Sequence, residues 1–201
     1  MTMPGPDEPV VFPLPVLVDT REQSPFTFAG IKADFDYDYR PIVVHARRVG
    51  LATGDYSLQG WEGVFAVERK GLADLYGTLS TGRERFEAEL VRFNKMRWGA
   101  VVIEAGWEAI VEPLPRSRLS PKSVYRSILA YSMRFPNVHW FVAPDRRFAE
   151  VTTFRLLERW AKDNLPPEKG RKLYSLVTTP AVALLDGVPV VEDGVPVVED
   201  G

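Results

Sequence analysis

The stretch GVFAVERKGLADL, residues 63–75, sets three consecutive charges on the end of an apolar run. Val64, Phe65, Ala66 and Val67 read as a buried strand, and Glu68, Arg69 and Lys70 follow without a turn residue between them. From Gly71 the period changes: Leu72, Leu75, Tyr76 and Leu79 recur at helical spacing. Alternation along the strand sends Glu68 and Lys70 to one face and Arg69 to the other. A core strand that carries its charges at the junction with a helix is the unit around which the remaining segments are placed.

Upstream, PVLVD (15–19) is predicted as a short buried strand ending in an acid. YRPIVVHARR (39–48) is a further β-rich run, and TGDYSLQG (53–60) a turn and short strand. Downstream, Gly82 separates the first helix from a second, in which Phe86, Leu90 and Phe93 form an apolar stripe. AVVIEA (100–105) is predicted as a buried strand and VHWFVA (138–143) as the last core strand. Between them SPKSVYRSILAYSMRF starts well as a helix, with Ser120 as N-cap and Pro121 in the first position. A last long helix, 145–164, is ended by Pro166 and Pro167. Strands followed by alternating helix and strand predict an α/β fold, a mixed central sheet flanked by helices. The domain spans 15–165, with an N-terminal extension at 1–14 and a C-terminal extension at 166–201. In the latter, DGVPVVE occurs twice in tandem, at 186–192 and 193–199, and reads as an acidic tail; Asp193-Gly194 is also a hairpin signal that the flanking prolines weaken.

Glu68 and Lys70 on one strand face suit phosphodiester hydrolysis. A carboxylate holds a divalent cation, while an ammonium two residues on positions or activates the attacking water and offsets charge at the phosphate. One carboxylate is too few, and TGDYSL supplies a second: Gly54 permits a tight backbone and Asp55 offers another oxygen ligand on a neighbouring strand. An oxygen-only ligand set favours Mg2+ or Mn2+. Asp19, with Arg21 and Glu22 close behind it, and Asp74, four residues beyond Lys70, are further acids that converge on the same site.

LVDTRE, TGDYSL, VERKGLADL and LSTGRERFEAEL follow one another in an order that resembles the XPF and Hef type of structure-specific DNA endonucleases. The signature of that family, Gly-Asp, a spacer, Glu-Arg-Lys, three residues, Asp, is filled here by Gly54, Asp55, Glu68, Arg69, Lys70 and Asp74. The resemblance covers roughly residues 15–163 and is strong over 17–90. It implies a restriction-endonuclease-like core and metal-dependent cutting of branched, forked or flapped DNA, in repair or recombination. It implies Asp55 and Glu68 as metal ligands, Asp19 as ligand or water-binding group, and Lys70 as the catalytic lysine. Glu22 belongs to the same early cluster, Arg69 organises the site or approaches a phosphate, and Asp74 orients a neighbouring base. Arg83 matches an arginine of the family's site rim, or is an exposed residue at a helix start. Nothing after Asn164 resembles the paired helix-hairpin-helix motifs of the family and no helicase precedes the domain, so DNA contact is expected from the domain itself or from a partner chain. A catalytically silent module of the same fold, holding a DNA junction or a partner, is the alternative.

Composition is compatible with this. Seven of the 27 acids and none of the 25 bases lie in 1–15 and 186–201, so the net charge of −2 conceals a central segment of +5. Arg21, Arg83, Arg85, Arg92 and Lys122 are candidate phosphate contacts, although Arg85 and Arg92 alternate with acids and equally suit a solvated helix face. The chain has no cysteine, which excludes disulfides and thiol catalysis. No signal peptide or spanning segment is read from the sequence, and a cytoplasmic location is expected. His45 and His139 sit in apolar contexts that predict packing, and Trp98, Trp107, Trp140 and Trp160 are expected in core or rim. Val124, Ile128, Leu129, Tyr131 and Met133, with Phe148, Phe154, Leu157 and Trp160, exceed what one sheet face covers, which suggests a homodimer through the late helices.

Overall fold

A computed structural model describes residues 8–34, 38–166 and 173–176. The strands are β1 (Val10–Val11), β2 (Val16–Asp19), β3 (Ile42–Val43), β4 (Ala46–Val49), β5 (Tyr56–Leu58), β6 (Phe65–Gly71), β7 (Trp98–Glu104), β8 (Val138–Ala143) and β9 (Ser175–Leu176). The helices are α1 (Leu72–Leu79), α2 (Arg83–Asn94), α3 (Trp107–Ile110), α4 (Pro121–Arg134) and α5 (Arg146–Asn164). The central sheet has the order β4-β2-β5-β6-β7-β8, and β3-β1-β9 form a small second sheet. β2 and β4 are parallel, β5 is antiparallel to both β2 and β6, and β6, β7 and β8 are parallel. This is the mixed sheet with flanking helices that the order of elements predicts. Its directions bring the C-terminal ends of β2, β6 and β7 to the edge where β5 begins, and Asp19, Asp55, Glu68 and Glu104 with them.

Alternation along β6 and β7 builds a core on each face of the sheet. Phe65, Val67, Ala100 and Val102 pack with Phe154, Leu157 and Trp160 of α5. Ala66, Val101 and Ile103 pack with Leu75, Tyr76 and Leu79 of α1, Phe86, Leu90 and Phe93 of α2, and Val124, Ile128 and Tyr131 of α4. The helix starts follow the sequence: Ser120 Oγ accepts from the N–H of Ser123 at 3.2 Å with Pro121 in the first turn, and Asp145 Oδ1 accepts from the N–H of Phe148 at 2.8 Å. Among the described residues, no helix is long and apolar enough to cross a membrane.

The structure departs from the sequence expectations in several places. The run 39–48 is not one strand: β3 and β4 belong to different sheets, the chain passing between them at Val44 and His45. His45 is exposed rather than packed, because it lies in the connection before the edge strand β4, whereas His139 is half-buried and stacks on Trp98 at 4.6 Å. The core also draws on residues outside 15–165: Val10, Phe12 and Leu14 are buried, and Leu173 and Tyr174 close over them. A two-residue strand such as β1 has no periodicity of its own to read. The tandem repeat at 186–199 lies outside the described residues.

One packing contact places α2 against the sheet. The ring of Phe93 rests on Gly54, Ala66 and Gly99; a Cβ at Gly54 would stand 3.1 Å from Phe93 Cζ and 3.0 Å from Ala66 Cβ, and one at Gly99 would collide with the ring. Gly99 is the register partner of Ala66 on the adjacent strand. Gly54 further has φ +81°, a conformation that side chains disfavour. Gly54→Ala is expected to lower stability by about 2–4 kcal/mol, read as a shift of the urea midpoint at unchanged slope; an unaltered midpoint would disprove this account of the seat.

Candidate active site

β6 carries its three charges within the strand, as its span to Gly71 shows. Glu68 and Lys70 point to the α1–α2 face: Lys70 Nζ donates to Glu68 Oε1 at 2.6 Å, pairs with Asp74 Oδ2 at 3.2 Å and lies 5.2 Å from the centre of the Phe86 ring. Both are buried. Asp55 arrives from the neighbouring strand end. Its N–H donates to Val67 O at 2.9 Å and its carbonyl accepts from the N–H of Asp19 at 2.8 Å, which fixes the backbone. Its Oδ2 accepts from the N–H of Arg69 at 2.8 Å, which fixes the carboxylate. Among the described residues no donor reaches the other oxygen of Asp55, nor Oε2 of Glu68.

Electrostatics set these two acids apart. Burial pushes Asp55 up to about 6, aided by the charges of Glu22 and Glu89 and opposed by the Arg69 N–H and Lys70. Glu68 is held well above the ordinary carboxylate range, first by burial and then by Asp55, with Lys70 opposing. Burial alone would lower Lys70, yet Glu68, Asp74 and Glu89 outweigh it, so the amine is raised and remains an ammonium at neutral pH. One ammonium thus faces Asp55, Glu68, Asp74 and Glu89, an excess of negative charge that a divalent cation would offset. The open donors are carboxylate oxygens, which suit Mg2+ or Mn2+. Among the described residues no three acids or histidines converge closely enough to form a complete cation cage. Two carboxylates with the remaining positions left to water and phosphate is the usual manner of binding Mg2+ beside a phosphate.

The opposite face of β6 is closed. Arg69 donates from Nε to Glu104 Oε1 at 2.6 Å and from Nη2 to Oε2 at 2.8 Å, a two-bonded fork across adjacent parallel strands. Its Nη1 reaches Glu22 at 3.1 and 3.2 Å. Arg146, at the start of α5, adds contacts to Glu104 at 3.3 Å and to Ser24 O at 2.7 Å. Arg69 therefore has its donors engaged within the protein, and it braces the strand ends rather than projecting at a phosphate. Arg48 of β4 holds the turn carrying Glu22, donating to Thr20 O and Glu22 O.

Asp19 is placed beside Asp55 but is saturated. Its Oδ1 accepts from the backbone and side chain of Arg21, both at 2.7 Å, and its Oδ2 from Arg21 Nη2 and the N–H of Leu51. Burial disfavours its charge, yet these hydrogen bonds prevail and hold its carboxyl below the ordinary value. Of the candidate phosphate contacts, Arg21 is well exposed, at 72% of its side chain, and Arg85, Arg92 and Lys122 are exposed. Arg83 is instead tied to α4, donating to Ser127 Oγ at 2.7 Å and Tyr131 Oη at 2.9 Å. Two acids were not legible as site residues. Glu104 appears in sequence only as the end of an apolar strand, and Glu89 only as one of the charges alternating along α2.

No protein-family model and no curated protein sequence matches the chain. Among solved structures it is similar to XPF from Aeropyrum pernix in complex with DNA, with a TM-score of 0.52 and 20% identity over 76% of this chain and 68% of that one. A second structure of XPF from Aeropyrum pernix gives a TM-score of 0.52 and 17% identity, over 77% of this chain and 63% of that one. The fold is that of an XPF-like nuclease domain. The chain spans about two thirds of the length of the structures it matches. At these identities the likeness carries the fold alone.

The elevated Asp55 has a consequence for stability. In the unfolded chain its pKa returns to about 3.9, so between that value and about 6 the folded protein binds more protons than the unfolded one. Stability conferred by this group is therefore present at low pH and lost as pH rises through the window. Asn cannot ionise, so in divalent-free buffer the gain in thermal midpoint of Asp55→Asn over the parent is expected to be larger at about pH 7.5 than at about pH 4.5. An equal difference at the two pH values would show that Asp55 is not elevated.

Proposed function

We propose that this chain is a divalent-metal-dependent DNA endonuclease that hydrolyses phosphodiester bonds in branched, forked or flapped DNA. The observation that carries this reading is the pair of buried carboxylates, Asp55 and Glu68, each with an open oxygen, beside the ammonium of Lys70 at one edge of an XPF-like sheet. The similarity to a structure of XPF with DNA supports DNA as the substrate. Asp55 and Glu68 would hold Mg2+ or Mn2+, which when bound would supply Lewis acidity toward a phosphate oxygen and a water. Lys70, an ammonium by its surroundings, acts as a donor that orients the water or offsets charge developing at the phosphate, rather than as a base. Asp74 holds that ammonium from the first turn of α1. Arg21, Arg85, Arg92 and Lys122 supply phosphate contacts that neutralise charge without sequence choice.

The test is cleavage of matched duplex, flap, fork and single-stranded DNA with and without Mg2+ or Mn2+. Asp55→Asn is expected to lower cutting by at least about 10²-fold while DNA affinity persists, since it removes the ligand charge and keeps the shape. A silent junction-binding module would bind these substrates and cut none of them; full cutting by Asp55→Asn, or cutting insensitive to chelation, would refute the metal mechanism.

We also propose that the chain pairs with a second copy, through a face narrower than its sequence suggests. Phe154, Leu157 and Trp160 are buried within the monomer, as are Val124, Ile128 and Tyr131. Of the late helices' described apolar residues, Phe148 on α5 and Tyr125, Leu129 and Met133 on α4 are uncovered; the last three form one outward stripe at four-residue spacing, with Trp107 packed edge-on against Tyr125. Met133 is 85% exposed. Leu129→Glu with Met133→Glu is expected to convert a dimer to a monomer by light scattering at micromolar concentration, with the fold intact by circular dichroism; a parent protein that is already monomeric rules the pairing out.

A further inference from the structure

Besides Asp55, Glu68 and Asp74, the site holds an acid that neither the Gly-Asp turn nor the segment from Glu68 to Asp74 supplies. Glu89 lies on α2 one turn after Phe86 and one turn before Phe93. Those two rings fix where it stands. Phe86 lies under the ammonium of Lys70, and Phe93 is seated on Gly54, next to Asp55. A residue between them on the same helix face looks onto the gap between Lys70 and Asp55. Its charge accordingly acts on Asp55, Glu68 and Lys70, and reaches Arg21 across the site. Glu89 is half-buried and, among the described residues, makes no ion pair or hydrogen bond. The ammonium it faces is already committed to Glu68 and Asp74. An acid kept beside two other acids without a cation of its own loses free energy unless something between them compensates. It does not approach closely enough to complete a three-acid cage.

Resting on the metal-nuclease reading above, we propose that Glu89 is an outer carboxylate of the site: it accepts a hydrogen bond from a water bound to the divalent cation and orients that water, while Asp55 and Glu68 bind the cation itself. Glu89 is thus a positioning residue acting through the water. The role explains why α2, otherwise an amphipathic cover for the sheet, turns an unpaired acid inward at this one place.

The experiment measures Mn2+ binding by the full chain, by electron paramagnetic resonance, for the parent, Asp55→Asn and Glu89→Gln, together with water-proton relaxation of the bound Mn2+ and cleavage at saturating Mn2+. For Glu89→Gln the expected results are Mn2+ affinity within about 3-fold of the parent, an altered relaxation enhancement, and cleavage lower by about 10- to 100-fold at a thermal midpoint no lower than the parent's. Asp55→Asn should instead lose Mn2+ affinity by about 10-fold or more. Parental cleavage and relaxation in Glu89→Gln would overturn the inference and leave the metal-nuclease reading standing. A loss of Mn2+ affinity equal to that of Asp55→Asn would also overturn it, by making Glu89 a direct ligand. A parent chain that binds no Mn2+ would overturn both.

Discussion

The seat of Phe93 on Gly54, Ala66 and Gly99 is the contact on which both the sheet cover and the site depend. Three of the smallest side chains meet on neighbouring stretches of chain, and the hole they leave takes one aromatic ring. Burying that ring is worth about 1.5–3 kcal/mol by area, but its larger effect is geometric. The ring draws α2 down to the sheet near Gly54, one residue from Asp55, and holds Phe86 beneath Lys70. A larger residue at any of the three positions would lift the helix and open the space in which the charges meet. Packing density here acts as the ruler for the chemistry.

β6 presents two solutions to burying charge on a single strand. On the α5 face Arg69 meets Glu104 in a fork and Glu22 beside it, so each charge has a partner at hydrogen-bond distance. Such a cluster locks the ends of β6, β7 and the Glu22 turn together, and its satisfied groups have little capacity left for a ligand. On the α1–α2 face Lys70 is outnumbered by acids, and oxygens of Asp55 and Glu68 are left open. The two faces are complementary. The first holds the strand ends rigid, and the second keeps on that rigid frame an uncompensated field that a cation would offset.

Much of this was legible in the sequence, for identifiable reasons. The strand and helices of 64–94 announce themselves by a change of apolar period, and Ser120-Pro121 and Asp145 mark helix starts that the structure reproduces. The opposite faces of Glu68 and Arg69 follow from the pleat alone. What was not legible depends on pairing between distant segments. β1 has two residues, too few for a period, and it is a strand only because β3 and β9 flank it. Glu104 becomes a site neighbour through the parallel register that sets it level with Gly71. Arg83 reads as a rim arginine until α4 crosses α2 and offers Ser127 and Tyr131 as acceptors. Local pattern predicts which way a side chain leaves its own element, and it is silent about what another element brings to meet it.

Asp19 and Asp55 show how the same carboxylate is given opposite character within one backbone hydrogen bond of each other. Around Asp19 the chain turns so that Arg21 folds back on both oxygens and Leu51 adds an N–H, and the charge is stabilised despite burial. Around Asp55 a single backbone N–H is available, from Arg69, and burial prevails. Asp19 already has its charge compensated, so displacing Arg21 and Leu51 would cost any ligand the hydrogen bonds it replaced. Asp55 has the converse balance: burial makes its charge unfavourable, so a cation bound there would recover free energy that folding left unspent. The Arg21 turn therefore serves Asp55 indirectly, because it ties up the neighbouring acid and fixes the Asp19 N–H that holds the Asp55 carbonyl. The character of each acid at this strand edge is decided by the donors that it has or lacks.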